Sequence, residues 1–142
     1  MKVKVKKLHK DSVLPIYSKE GDAGMDLTAV RVQELNDNYL KYYFGLAFEI
    51  PKGFVGYIFP RSSCYRKDQL LSNCVGVLDS GFRGELSVVM IGNTDNSYVV
   101  GDRVCQIVIM PIPEIEFVEV EELSDSERGT GGFGSTGNKK LN

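Results

Sequence analysis

The segment Arg103–Met110, RVCQIVIM, consists mainly of β-branched and other apolar residues and lies between Asp102 and Pro111. Such a short apolar run between turn-forming residues predicts a β-strand. Segments of the same kind recur along the chain, at residues 3–5, 40–50, 54–59, 85–91 and 115–120. One helical turn is expected from about residue 63 to 70, capped by Ser62 or Ser63. Many short strands separated by glycine and proline predict an all-β sandwich or barrel.

The 142-residue chain is expected to form one domain. The composition of the chain changes after residues 111–113, Pro-Ile-Pro. One strand-like segment follows, then an acidic stretch, and then a glycine-rich stretch. We therefore expect a body of residues 1–112 and a C-terminal arm of residues 113–142.

The formal net charge of −2 argues against a general nucleic-acid binder and against binding to an anionic membrane. The one basic run, at residues 2–7, alternates lysine with valine, which is typical of the solvated face of a strand. No run of about 18 apolar residues is present, so no membrane-spanning segment is expected.

The chain has three cysteines, Cys64, Cys74 and Cys105, and none of them forms a Cys-x-x-Cys pair. An odd count without that spacing favours neither a disulfide framework nor a zinc site. We expect reduced thiols and a cytoplasmic protein, in the host cytosol if the source is a virus or phage.

The stretch RGTGGFGSTG, residues 128–137, contains a literal Gly-x-Gly-x-x-Gly. A dinucleotide-binding loop requires a helix after the glycines, and none is predicted here. A phosphate-binding P-loop requires lysine where Asn138 stands. The high glycine content and low hydrophobicity of this stretch are also compatible with a disordered tail. Arg128 and Phe133 favour a different hypothesis, a lid that closes over a nucleotide, because they can bind phosphate and stack on a base.

Other candidate groups are polar residues at strand ends. The Arg61-Ser62-Ser63 sequence follows a predicted strand and suits an anion site, although capping and a surface ion pair would explain it equally. Asp79 follows an apolar run within a predicted hairpin of residues 73–85, where a carboxylate is costly to bury without a function. It is either a general base or a turn aspartate. Asn73 can both donate to and accept from the edge of a base.

Two acids, Asp22 and Asp26, precede or begin a predicted strand. They suit a magnesium site formed together with phosphates, or else a solvated turn. The single histidine, His9, lies in a lysine-rich stretch, which disfavours a Ser-His-Asp or Cys-His catalytic arrangement.

Five segments in order carry a family resemblance that covers nearly the whole chain: AGMDL (23–27), PRSS (60–63), NCVGVLDSGFRGE (73–85), GDRVCQ (101–106) and RGTGGFGSTG (128–137). In sequence and spacing the chain resembles the trimeric deoxyuridine triphosphatases, the dUTP diphosphatases. The resemblance implies a β jelly roll and a homotrimer with shared active sites. It also implies Mg²⁺-dependent hydrolysis of dUTP to dUMP and pyrophosphate, which limits uracil in DNA and supplies dUMP for thymidylate synthesis.

The resemblance also implies residue roles. Asp79 would activate the water that attacks the α-phosphate, and Asp26 would act through the metal's water shell or support the phosphate-binding groups. Phe82 would lie against the deoxyribose, and Arg128 would bind the γ-phosphate. The remaining substrate contacts expected are Asn73, Gly76 and Val77 at the uracil, Arg61, Ser62, Ser63 and Gln106 at the phosphates or the water, and Phe133, Gly134, Ser135 and Thr136 in the lid.

This sequence departs from the family pattern at two positions, with Phe82 where tyrosine is usual and Ser63 where glycine is usual. The aromatic face that would select the sugar is retained at Phe82. Two other functions on the same scaffold remain open at this point, a nucleotide-sensing interaction protein and a deoxycytidine triphosphate deaminase.

Overall fold

The computed structural model describes residues 1–132. Within them lie ten strands and one short 3-10 helix, Cys64–Lys67. The strands are β1 (Lys4–Lys7), β2 (Met25–Thr28), β3 (Arg31–Asn36), β4 (Tyr39–Tyr43), β5 (Leu46–Glu49), β6 (Phe54–Pro60), β7 (Gln69–Leu71), β8 (Gly76–Leu78), β9 (Ser87–Gly92) and β10 (Arg103–Pro111). Every strand pairing is antiparallel. Because residues 1–132 contain ten strands and no helix other than this 3-10 turn, the predicted all-β fold is confirmed.

The strands form two four-stranded sheets, in the orders β2-β10-β6-β8 and β3-β4-β9-β7, and the separate pair β1-β5. Apolar side chains from all three sheets meet in one core, in which Leu27, Tyr42, Phe44, Leu46 and Met90 are fully buried. Burial of this apolar surface is the main force that holds the sheets together. No helix in residues 1–132 is long and apolar enough to cross a membrane.

The RVCQIVIM segment is the centre of the first sheet. β10 pairs with β6 from Cys105 opposite Pro60 to Pro111 opposite Phe54, and with β2 on its other edge. Its pairing with β2 shifts register between Arg103 and Cys105, and Val104 and Cys105 are both buried. Such a shift changes the direction of the neighbouring side chains and increases the local twist at the end of the strand.

Three sequence-based expectations are wrong in detail. Residues 40–50 form two strands, because the chain turns at Gly45, which has a left-handed φ of +62°. Residues 115–120 form no strand, because they have no partner strand within residues 1–132 and are exposed. The expected helical turn is a single 3-10 turn, and Ser63 occupies its N-cap position without a side-chain capping bond.

The predicted hairpin over residues 73–85 is also wrong. β8 pairs with β6 in the first sheet, whereas the next strand, β9, lies in the second sheet between β4 and β7. The segment between them therefore carries the chain from one sheet to the other, and Asp79 and Phe82 lie on this crossing.

Candidate active site

Asp26 on β2 organises a group of charged side chains at the end of the first sheet. Its Oδ1 accepts a bond from Arg61 Nε at 2.7 Å, and its Oδ2 accepts one from Arg103 Nη1 at 2.9 Å. Arg61 also donates from Nη1 to the carbonyl of Arg103 at 3.3 Å. Asp26 and Arg61 are only 20% and 25% exposed, so solvent weakens their ion pair less than it would at the surface. One carboxylate thus fixes two guanidiniums side by side, with one positive charge left over.

Gln106 lies in the middle of this arrangement. Its Cα is paired with Asp26 on one side and with Phe59 on the other, and its Nε2 donates to the carbonyl of Pro60 at 3.0 Å. The amide oxygen of Gln106 lies against Gly24, where even a Cβ atom would collide with it. Glycine at position 24 therefore allows the Gln106 amide to occupy this place.

These residues border an open polar cavity of about 610 Å³. Its other lining residues include Ser18, Lys19, Asp22 and Ser62. Four of the residues expected at the substrate phosphates or the metal line this cavity together: Asp26, Arg61, Ser62 and Gln106. The prediction missed Arg103, although it begins β10 within the quoted GDRVCQ motif. Ser63 does not line this cavity and borders an adjacent one instead.

The carboxylates of the cavity are few. Residues 1–132 hold no cluster of three or more histidine, cysteine, aspartate or glutamate side chains that could enclose a metal ion. Both oxygens of Asp26 are engaged by arginine, and Asp22 Oδ2 accepts the Lys19 amide at 2.8 Å. Mg²⁺ is often held by one or two carboxylates, waters and substrate phosphates. The residues present fit an ion that arrives on a polyphosphate, with Asp26 supporting the arginines.

A second group of predicted residues lies around the start of β8. Asn73, Gly76 and Val77 line a cavity of about 270 Å³. The turn before the strand is tight: Val75 N donates to the carbonyl of Asn73 at 2.6 Å, and Cys74 has a φ of +61°. Gly76 lies opposite Ile58 on β6, and a Cβ there would be 3.0 Å from the Ile58 Cβ. A larger residue at position 76 would therefore require Ile58 to shift by a few tenths of an ångström.

Asp79 and Phe82 border a smaller adjoining cavity of about 180 Å³ at the other end of β8. Phe82 N donates to the carbonyl of Asp79 at 3.1 Å, which closes a turn. Arg83 Nη1 donates to the carbonyls of Ser80 and Phe82 at 2.7 and 2.8 Å. The Phe82 ring lies over Gly84, where a Cβ would be 2.6 Å from its Cζ. Asp79 is exposed in the single chain, so it does not carry the cost of burial that its position after an apolar run suggested.

One chain does not bring Asp79 and the arginine pair together. Leu78, just before Asp79, pairs with Gly56 near the start of β6, whereas Arg61 follows the end of that strand. Arg61 is the fifth residue after Gly56 along this extended chain, which corresponds to roughly 17 Å. Asp79 and the arginine pair therefore lie towards opposite ends of the same strand.

The predicted lid is described only at its beginning. Arg128 is exposed, and its Nε donates to the carbonyl of Gly131 at 2.9 Å across a short turn. Arg128 therefore closes a local turn in the single chain and borders none of the cavities described above. Phe133, Gly134, Ser135 and Thr136 lie outside the described residues.

This fold and this site define an all-β protein with a polar, cation-lined cavity at the end of a sheet. The dUTPase family model matches residues 10–137. The deoxyuridine 5'-triphosphate nucleotidohydrolase of Gloeothece citriformis is 41% identical over 141 residues, which are 96% of this chain and 97% of the relative. That of Nautilia profundicola is 40% identical over 141 residues, with 96% and 99% covered.

A solved structure of the Staphylococcus bacteriophage 80alpha dUTPase with dUpNHpp superposes with a TM-score of 0.84 at 27% identity, covering 96% of this chain and 99% of that one. The chain belongs to the dUTPase family. The family expected from the five motifs and the all-β, jelly-roll-type fold are thereby confirmed.

Proposed function

We propose that this protein is a dUTP diphosphatase, which hydrolyses dUTP to dUMP and pyrophosphate. The observation that carries the proposal is the Asp26-bridged pair of arginines on the wall of a large polar cavity. Family membership, and relatives about as long as this chain that are named for the same activity, support the choice of substrate.

The phosphate end of the substrate would occupy the cavity beside Asp26. Arg61 and Arg103 carry forked cationic donors that suit phosphate oxygens, and Asp26 holds them before the substrate arrives. The Ser62 hydroxyl and the Gln106 amide add neutral donors on the same wall. Donors fixed in advance stabilise developing negative charge without reorganisation during the reaction. Ser63, at the edge of the adjoining cavity, would contribute through the backbone or hydroxyl next to Arg61.

The nucleoside end would bind at β8. The turn at Asn73 leaves its side-chain amide exposed beside Gly76 and Val77, in position to pair with the edge of uracil. The Phe82 ring, lying over Gly84, would rest against the deoxyribose and leave no space for a 2′-hydroxyl. Phenylalanine at position 82 keeps this face but gives the sugar no hydroxyl partner.

Asp79 would be the general base of the reaction. Its carboxylate would accept a proton from the water that attacks the α-phosphorus, and pyrophosphate would leave in line with that attack. Mg²⁺ bound to the triphosphate would supply charge neutralisation when present. The chain's own contribution is to position the water and the phosphates, which is most of what phosphoryl transfer requires.

A complete site would draw on more than one copy of the chain, because Asp79 follows Leu78, which pairs with Gly56, and Gly56 lies roughly 17 Å along the strand from Arg61 in one copy. We propose a homotrimer in which one copy supplies Asn73, Asp79 and Phe82 and another supplies Asp26, Arg61 and Gln106. Three equivalent sites would then form around a threefold axis.

The C-terminal arm would complete the assembly. Its apolar side chains are exposed in the single chain, with Phe117 at 95% and Val118 at 75%, and such exposure is typical of an interaction surface. We propose a body of residues 1–112 and an arm of residues 113–142 that packs on another copy. Arg128 and Phe133 would then contact the γ-phosphate and the uracil, and Gly134, Ser135 and Thr136 would close over the phosphates.

We place the enzyme in the cytoplasm. Its three thiols, Cys64, Cys74 and Cys105, are free, as is usual where glutathione and thioredoxin keep cysteines reduced.

The activity is tested by offering each deoxynucleoside triphosphate with Mg²⁺ and measuring pyrophosphate. Release from dUTP alone is expected. Replacing Asp79 with asparagine should leave dUpNHpp binding largely intact and lower turnover about 10²–10⁴-fold, because only the base is lost. Full turnover by Asp79→Asn would exclude Asp79 as the base, and ammonia release from dCTP would indicate a deaminase instead.

A further inference from the structure

The crossing segment, residues 79–86, carries both Asp79 and Phe82 from β8 to β9. Its turn is closed by local hydrogen bonds, from the Phe82 amide to the carbonyl of Asp79 and from the Arg83 side chain to two carbonyls of the same turn. In the described part of the chain, the hydrogen bonds of residues 80–84 all lie within this turn. The place of the turn relative to the sheets is therefore set where the crossing segment joins them.

The crossing segment ends on the turn between β4 and β5. The Leu86 amide donates to the carbonyl of Leu46 at 2.8 Å, and the Phe44 amide donates to the carbonyl of Leu86 at 3.3 Å. Glu85 adds a side-chain contact, because its Oε1 accepts the Gly45 amide at 3.2 Å. Three bonds thus converge on residues 44–46, and the bond to Glu85 is the one nearest to the turn that carries Asp79 and Phe82.

Gly45 is itself held firmly by another part of the chain. Its carbonyl accepts the Leu8 amide at 2.7 Å and the hydroxyl of the buried Ser12 at 2.7 Å. Its φ is +62°, and a Cβ at this position would collide with the Ser12 hydroxyl. Since these contacts fix Gly45, its amide is a stationary point to which the Glu85 side chain is attached.

The second oxygen of Glu85 makes a weaker contact. Its Oε2 lies 3.6 Å from Arg31 Nη2, and the two side chains are 51% and 31% exposed, with Arg31 the more exposed. The Arg31 guanidinium also lies over the Tyr43 ring, 3.3 Å from its centre. A long ion pair with a half-exposed partner contributes little, whereas a bond from a fixed amide to a carboxylate is directional and charge-assisted. The reach of Glu85 to Gly45 therefore matters more than its charge.

We propose that Glu85 is a positioning residue, which fixes the crossing segment by binding the Gly45 amide and so places the Asp79 carboxylate and the Phe82 ring. The inference rests on the proposed function for the roles of Asp79 and Phe82. Glu85 borders the same cavity as both of them. Between Glu85 and the turn stands Gly84, which has no side chain to make a further contact. A shift at Glu85 is therefore passed on to the base and to the sugar-binding ring together.

The position of the crossing segment can be measured without any substrate. The chain contains no tryptophan, so Phe82→Trp introduces a single fluorescent reporter. In this background Glu85→Asp keeps the charge but is one methylene too short for the Gly45 amide, and Glu85→Gln keeps the length and an acceptor but loses the charge. We expect Glu85→Asp to lower the fluorescence anisotropy and raise quenching by acrylamide, and Glu85→Gln to leave both unchanged. Glu34→Asp, at an exposed glutamate of β3, is the matched control.

Activity gives the second readout, in variants that retain Phe82. Glu85→Asp should lower kcat for dUTP about tenfold to a hundredfold, because the base is misplaced. The ratio of kcat/KM for dUTP over UTP should fall about tenfold, because the Phe82 ring no longer excludes the 2′-hydroxyl. Glu85→Gln should stay within about threefold of the unmodified protein in both values. A merely structural role would lower the melting temperature and reduce activity on the two substrates equally.

Two results would overturn the proposal. One is equal anisotropy and quenching in Glu85→Asp and its Phe82→Trp parent. The other is a loss of activity in Glu85→Gln as large as in Glu85→Asp, which would mean that charge and not reach is required. If the unmodified protein does not hydrolyse dUTP, the proposed function fails, and the fluorescence comparison still decides whether Glu85 holds the crossing segment in place.

Discussion

At the scale of single residues, Asp26 organises the site by holding Arg61 and Arg103 with its two oxygens. Sequence reasoning predicted Asp26, Arg61 and Gln106 as site residues and left open whether Asp26 acts on metal or on phosphate-binding groups. The paired ion contacts favour the second role. Arg103 could not be singled out from sequence, because an arginine at the start of a strand is most often a solvated surface residue.

Gly24 offers a prediction about Gln106. In Gly24→Ala the new Cβ would collide with the Gln106 amide and displace it from the Pro60 carbonyl. We expect kcat/KM for dUTP to fall about tenfold to a hundredfold, because a displacement of about 1 Å is enough for such a loss. Lys52→Ala, on the exposed turn before β6, is the control. Equal activity of the two variants in a steady-state assay would show that Gln106 does not require Gly24.

The three cysteines should differ sharply in reactivity. Burial raises the pKa of the Cys105 thiol, whereas Cys74 is exposed in the turn beside Asn73. The thiolate is the reactive form, so iodoacetamide should modify Cys74 first and Cys105 only after unfolding. Mass spectrometry of the native protein over time would check the order. Modification of Cys105 at the same rate as Cys74 would mean that the β10 core opens readily.

At the scale of elements, the strands at residues 54–59, 85–91 and 103–110 were predictable because apolar and β-branched residues between turn residues carry the signal locally. Strand partners were not predictable. The residues from Asn73 to Glu85 have the pattern of a hairpin, yet β8 pairs with β6, and the chain then crosses to the other sheet. Local sequence does not encode which distant strand completes a sheet, and for the same reason residues 115–120 carry a strand pattern without a partner strand within residues 1–132.

The C-terminal segment gives the prediction at this scale. A chain that ends at Glu127 lacks Arg128, Phe133 and the glycines but keeps the complete core. It should unfold at nearly the same temperature as the full chain, because Arg128 makes only a local turn contact in the described structure. It should bind dUpNHpp poorly and turn over little dUTP. Full activity of the truncated protein would exclude the lid.

At the scale of the whole molecule, Asp79 and the arginine pair, which are proposed to act on one substrate, lie towards opposite ends of β6. Sequence order could not reveal this separation, because it places Arg61, Asn73 and Asp79 within twenty residues of each other. The antiparallel pairing of β8 with β6 is what directs Asp79 away from Arg61. If Asp79 and the arginine pair act in one reaction, a complete active site forms only in the oligomer and not in a single chain.

Mixing two inactive variants tests this account most directly. Asp79→Asn and Arg61→Gln each lose one group, and we expect both to release almost no pyrophosphate from dUTP. After the two are unfolded together and refolded as mixed trimers, about one quarter of the sites should combine an intact Asp79 from one copy with an intact Arg61 from another. We predict recovery of dUTP hydrolysis to about that fraction of the unmodified activity. Mixed trimers, verified by mass, that stay as inactive as their parents would contradict a site shared between copies.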